Sequence, residues 1–136
     1  MAFIVDASAA LKWFLADEDD RAGSLVLLKS ISNTNRPLVP LLWFYEIGNA
    51  LNVAVRRRRI LAEQVEEILQ MLARIPIDID APDRVELLRL PHLARKHSLT
   101  TYDAAYLELA IRRKLSLATS DAALRRAAIS EGVELI

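Results

Sequence analysis

Apolar and polar positions along the chain switch repeatedly between two periods. Ala2 to Val5 is a continuous apolar run that ends at Asp6. A run of that kind predicts a strand buried on both faces, as in a parallel sheet. Ser8 then reads as the cap of a helix reaching about Leu15. Asp17 to Asp20 reads as the acidic entry to a second helix, continuing to about Ser32, because acids suit the positive end of a helix dipole. Asn33 to Pro37 has loop composition, and Leu38-Val39-Pro40 predicts a second short strand. A helix is expected from Leu41 to about Arg57, a turn over Arg58 to Leu61, and another helix from Ala62 to Ile75. In that last helix Leu61, Val65, Ile68, Leu69 and Leu72 recur at spacings of three and four.

The second half repeats the alternation. Ile77-Asp78-Ile79 predicts a strand, and Arg84 to His97 a helix that Pro91 should kink or split. Thr100 or Thr101 should cap a helix running to about Lys114. Leu115 to Ala118 reads as a strand, Ser120 to Glu131 as a helix, and Val133 to Ile136 as a last strand. Strands alternating with helices predict an α/β class domain, with a central parallel sheet and helices on both faces. The whole of residues 1–136 reads as one domain, without repeats or an internal linker.

Composition narrows the function. Cysteine is absent, which excludes disulfides, thiolate-bound zinc, iron–sulfur clusters and a thiol nucleophile, and fits a reducing, cytoplasmic setting. The N-terminus MAFIVDAS lacks a basic leader followed by a long apolar stretch, and no window has the roughly 20 apolar residues of a membrane span. Eighteen basic and eighteen acidic side chains cancel, so the chain is not globally polybasic. Basic charge is local, in Arg56, Arg57, Arg58 and Arg59. That block suits a helix C-terminus or contact with RNA. His92 and His97 fit no metal motif and read as surface residues. Trp13 and Trp43, each among Leu, Phe and Ala, read as packing.

Four acids stand in apolar or small-residue surroundings: Asp6, Glu46, Asp103 and Asp121. Carboxylates near a core need a partner, and a divalent cation can serve several at once. Asp6 and Asp121 each follow a strand, and so fall on the carboxyl edge where open parallel sheets form sites. Asp103 lies in the first turn of its helix, and Glu46 about one turn into another. Asp6, Asp103 and Asp121 also read as helix caps or dipole partners, whereas Glu46 needs no cap. Asn49 shares the helix face of Glu46. Ser8 and Thr119 are short hydroxyls suited to hydrogen-bonding Asp6 and Asp121. Oxygen ligands without His or Cys suit Mg²⁺ or Mn²⁺. Such an ion lowers the pKa of a water and neutralises phosphate charge, the two requirements of phosphodiester hydrolysis.

Read as strings, DASAALKWF after the first strand, YEIGNAL, TTYDAAYLELA, and LATSDAAL after a late strand together resemble the PIN-domain ribonucleases. The likeness is greatest to VapC toxins of toxin–antitoxin pairs and covers essentially the whole chain. It implies a three-layer α/β/α domain, Mg²⁺- or Mn²⁺-dependent endoribonuclease activity, a homodimer and inhibition by a VapB-like antitoxin. The family's acids fall on Asp6, Glu46, Asp103 and Asp121, its helix Asn on Asn49, and its small hydroxyl on Thr119. Some relatives carry another acid two residues after the last, where this chain has Ala123, which leaves a second ion open. Whether Glu46 is a ligand or positions the water also stays open. The expected substrate is single-stranded or loop RNA.

Two other classes compete. A phosphoryl-transfer enzyme built on Asp6 would want a second Asp where Ser8 stands, or a Lys where Thr119-Ser120 stands. A catalytically weak PIN module would act mainly through antitoxin binding, using apolar surface around Trp13, Phe14, Trp43 and Tyr45.

Overall fold

The computed structural model describes residues 1–136 throughout. Four strands form one parallel sheet in the order β3-β2-β1-β4. They are β1 (Ala2–Val5), β2 (Arg36–Pro40), β3 (Asp78–Asp80) and β4 (Leu117–Ala118). Helices α1 (Ala7–Leu11) and α2 (Ala22–Ser30) join β1 to β2, and α3 (Leu42–Arg56) and α4 (Ala62–Arg74) join β2 to β3. Helices α5 (Arg84–His97) and α6 (Thr101–Arg113) carry the chain back across the sheet to β4, and α7 (Ala122–Ser130) follows.

Steps from β1 to β3 run one way along the sheet, and the step to β4 runs the other way. Right-handed crossovers then put α1 to α4 on one face and α5 to α7 on the other. The packing agrees: α1 and α4 touch α3, and α6 touches α5 and α7. β1 and β4 are neighbours whose onward connections leave in opposite directions, which is the switch point where doubly wound sheets open a crevice.

One core fills both faces. Ile4, Val5, Val39 and Leu117 supply its sheet layer, with Trp43, Ile47 and Leu51 from α3 and Tyr106, Leu107 and Leu109 from α6. Trp13 and Trp43 pack inside as expected, and each buries an indole N–H without a protein partner. The apolar surface expected around them is therefore reduced to Phe44, Tyr45 and a half-buried Phe14.

Several boundaries differ from the sequence expectation. Asp6, not Ser8, caps α1, accepting from the Ala9 amide at 2.9 Å. Asp17 to Asp20 lies outside the second helix. Asp17 and Glu18 are held by Arg59 at 2.8 and 3.0 Å, and Asp20 takes a positive φ of 55°. Arg36 and Pro37 belong to β2 because they pair with Ala2 and Phe3. Pro91 does not divide α5, since it lies on the exposed face where water can satisfy the carbonyl it leaves unpaired. Val133 to Ile136 forms no full strand, only a single parallel bridge from Leu135 to Leu117. His97 is tucked in, 2.7 Å from Glu131, whereas His92 is exposed.

Candidate active site

The switch-point edge is built from short-range chemistry. After Val5 the chain enters α1, and Asp6 is carried beneath the edge with only 3% of its surface exposed. Its carboxylate accepts from the Ala9 amide and from the Ser8 hydroxyl at 2.8 and 2.9 Å, and from the Thr119 hydroxyl beyond β4. The Thr119 oxygen also accepts from the Asp121 amide at 3.0 Å, and Ser8 Oγ from the Ser120 amide at 3.0 Å. Ser8 and Thr119 thus tie the ends of β1 and β4 together around Asp6. Asp121 caps α7, accepting from the Leu124 amide at 2.8 Å. Thr100 caps α6 through the Asp103 amide at 3.1 Å, which leaves the Asp103 carboxylate in the first turn free of a capping task.

Glu46 comes from α3 on one face and Asp103 from α6 on the other. Burial pushes the carboxyls of Asp6, Glu46 and Asp103 above the usual range. Their mutual repulsion adds to it: Asp103 raises both Asp6 and Glu46, Asp6 raises Glu46, and Asp121 raises Asp103. The four acids therefore share one electrostatic neighbourhood. None of them is in an ion pair, although seven other acids of the chain are.

As placed, no three His, Asp or Glu side chains converge on one ion position. The donor chemistry still fits a hard divalent cation, since the set is all oxygen, self-repelling and without a basic side chain to neutralise it. Asp6, Glu46, Asp103 and Asp121 are the residues that could hold it.

Asn49 is exposed on α3, one turn from Glu46. Arg56 to Arg59 sit at the other end of that helix, about 15 Å from Glu46 at the helical rise. Arg59 is engaged by Asp17 and Glu18, while Arg56, Arg57 and Arg58 are exposed.

Two residues of the edge went unnoticed in the sequence. Tyr106 is buried on α6 and donates to Glu46 Oε1 at 2.5 Å. Arg125, one turn into α7, donates from its guanidinium to the Thr119 carbonyl at 3.2 Å. The Arg125 guanidinium has no carboxylate partner. The largest groove, about 640 Å³, lies elsewhere: it runs between α5, α6 and the ends of β2 and β3, and none of the four acids lines it.

A four-stranded parallel sheet flanked by helices, with four acids gathered near its switch point, defines an α/β domain of the doubly wound kind. The PIN domain model matches residues 3–130, and the chain belongs to the PIN-domain family. PIN domains are generally nucleases and typically use divalent metals. No curated protein matches the chain significantly. Among solved structures it is similar to PAE2754 from Pyrobaculum aerophilum, at 26% identity and a TM-score of 0.72, over 99% of this chain and 83% of that one. It is also similar to VapBC2 from Rickettsia felis, solved with a DNA fragment from its promoter, at 15% identity and a TM-score of 0.66 over 100% and 98% of the two chains. FitAcB from Neisseria gonorrhoeae gives 16% identity and a TM-score of 0.64 over 100% and 96%.

Proposed function

We propose that this chain is a Mg²⁺- or Mn²⁺-dependent endoribonuclease and the toxin of a VapBC-type pair. The observation that carries the reading is the set of four unpaired, mutually repelling carboxylates at the switch point. Asp6, Asp103 and Asp121 would hold the ion, with Glu46 as a further ligand or as the group that orients the attacking water. The ion would supply a more acidic water and positive charge against the phosphate. Ser8 and Thr119 fix the Asp6 carboxylate by hydrogen bonds, and the N-termini of α6 and α7 face the acids with their positive dipole ends.

Single-stranded or loop RNA suits an open edge, where a splayed nucleotide can bring its phosphate to the acids. Arg125, bonded to the Thr119 carbonyl and free of a carboxylate partner, is a candidate phosphate contact, and Arg56 to Arg59 could extend the path along α3. Similarity to VapBC2 and FitAcB supports a VapB-like antitoxin as partner. The expected homodimer would find exposed apolar side chains around the α5–α6 groove, among them Leu87 and Tyr102. No helix is long and apolar enough to cross a membrane, and we place the activity in the cytoplasm.

Purified protein should cut structured RNAs at unpaired positions with Mg²⁺ or Mn²⁺, and lose the activity with EDTA or with Asp6→Asn. Equal cleavage in all three conditions removes the assignment. Antitoxin binding without any metal-dependent cleavage favours the catalytically weak module instead.

A further inference from the structure

Tyr106 lies three residues after Asp103 on α6, so both side chains leave the helix on neighbouring lines. It is only 1% exposed, and its ring belongs to the core. A buried phenol needs a partner for its hydroxyl. Here the partner is Glu46 Oε1, 2.5 Å away and sixty residues back in sequence. The hydroxyl therefore links α6, which carries Asp103, to α3, which carries Glu46.

The contact has a directional consequence. A phenol has a single O–H, and an ionised carboxylate only accepts, so Tyr106 donates and Glu46 receives. Glu46 Oε1 is anchored by this bond, and Glu46 Oε2 has no hydrogen bond from the protein.

We propose that Tyr106 is a positioning residue. By holding Glu46 Oε1 it fixes the orientation of the carboxylate and leaves Oε2, which has no protein donor, to act on an ion or on the attacking water. The inference rests on the metal-dependent nuclease reading above and goes beyond it by assigning the residue that orients Glu46.

The test is a double-mutant cycle on the full chain with Tyr106→Phe, Glu46→Gln and the pair. Mn²⁺ affinity is read by electron paramagnetic resonance, and kcat and KM are measured on single-stranded RNA at saturating Mn²⁺. Tyr106→Phe should weaken Mn²⁺ about tenfold, the lower end for loss of a group that orients a ligand. It should lower kcat by a similar factor and leave KM within about twofold, because the RNA itself is not touched. On the Glu46→Gln background the same change should add less than about twofold. Wild-type Mn²⁺ affinity and kcat in Tyr106→Phe, or effects that multiply in the pair, overturn the proposal. Should Tyr106→Phe not fold, Glu46→Asp keeps the tyrosine and withdraws the carboxylate; wild-type affinity and kcat in that variant overturn the proposal equally. A wild-type chain that neither binds Mn²⁺ nor cuts RNA brings down the nuclease reading itself, which is distinguishable from failure of the Tyr106 variants alone.

Discussion

Asp103→Asn should make the ion-free protein more stable and the ion-loaded protein less so. Asp103 is the informative acid because Thr100, not Asp103, caps α6, so the substitution removes charge without removing a cap. Burial and then Asp121 hold its carboxyl above the usual range. A raised folded-state pKa means the native chain binds this proton more tightly than the unfolded chain does. Its contribution to stability is thus most favourable below the ordinary carboxylate range and declines as pH rises through the raised value. At pH 8 in EDTA the wild type carries the full repulsion, and Asp103→Asn relieves it. The advantage of the variant should vanish near pH 4. Mg²⁺ at one hundred times its Kd adds about 2.7 kcal/mol to any native state that binds it. Unfolding entropy of about 2.1 cal/mol/K per residue gives roughly 0.29 kcal/mol/K for 136 residues. The wild type should then gain about 9 °C in Tm with Mg²⁺, by calorimetry at pH 8, and the variant far less, so that the order of the two inverts. A variant less stable than wild type in EDTA that still shows the full Mg²⁺ shift would refute the shared acid site.

Other outcomes are expected from the same structure. Arg125→Ala should raise the KM for RNA about tenfold with kcat unchanged, the loss of one charge-assisted contact of about 1.5 kcal/mol, and should reduce the salt dependence of binding by about one phosphate; an unchanged KM removes Arg125 from the substrate path. Asp80, 7% exposed, binds Arg112 through both oxygens at 2.6 and 3.3 Å. Asp80→Ala should cost about 3 kcal/mol in urea unfolding, the lower end for breaking a buried pair, since Arg112 keeps Glu108; a loss under about 1 kcal/mol contradicts a structural role. Leu107→Ala, in the fully buried middle of α6, should cost about 3 kcal/mol in the same assay and leave metal affinity unchanged.

The parallel α/β architecture was legible because β1 and the Leu38 to Pro40 part of β2 are short, continuously apolar and followed by helix-period stretches. Their carboxyl edge followed from the same pattern, and with it the placement of Asp6 and Asp121. What escaped the sequence depends on contacts between distant residues. The acidic stretch Asp17 to Asp20 has the composition of a helix start, yet Arg59, some forty residues on, fixes it as a turn. Leu115 and Ser116 look like strand, but α6 ends on Lys114 in the left-handed region, and the strand begins only at Leu117. Tyr106 sits on the apolar stripe of α6 and reads as core, which it is. Only the need of a buried hydroxyl for a partner points to its second role, and the partner is on α3.

Capping and ion binding look like rival explanations for these acids, but the geometry makes them compatible. A carboxylate has two oxygens, and a cap needs one. Asp121 Oδ1 takes the Leu124 amide, and Glu46 Oε1 takes the Tyr106 hydroxyl, so each keeps its other oxygen free of protein donors. Asp6 satisfies more donors, but each of its oxygens has two lone pairs to share. The donors on the first oxygens hold the side chains in place, and the helix N-termini behind Asp103 and Asp121 offset part of the negative charge. An anionic cluster without a single ion-paired member can therefore persist in the folded chain. The cost that remains, seen in the raised pKa values, is the part a divalent cation would remove.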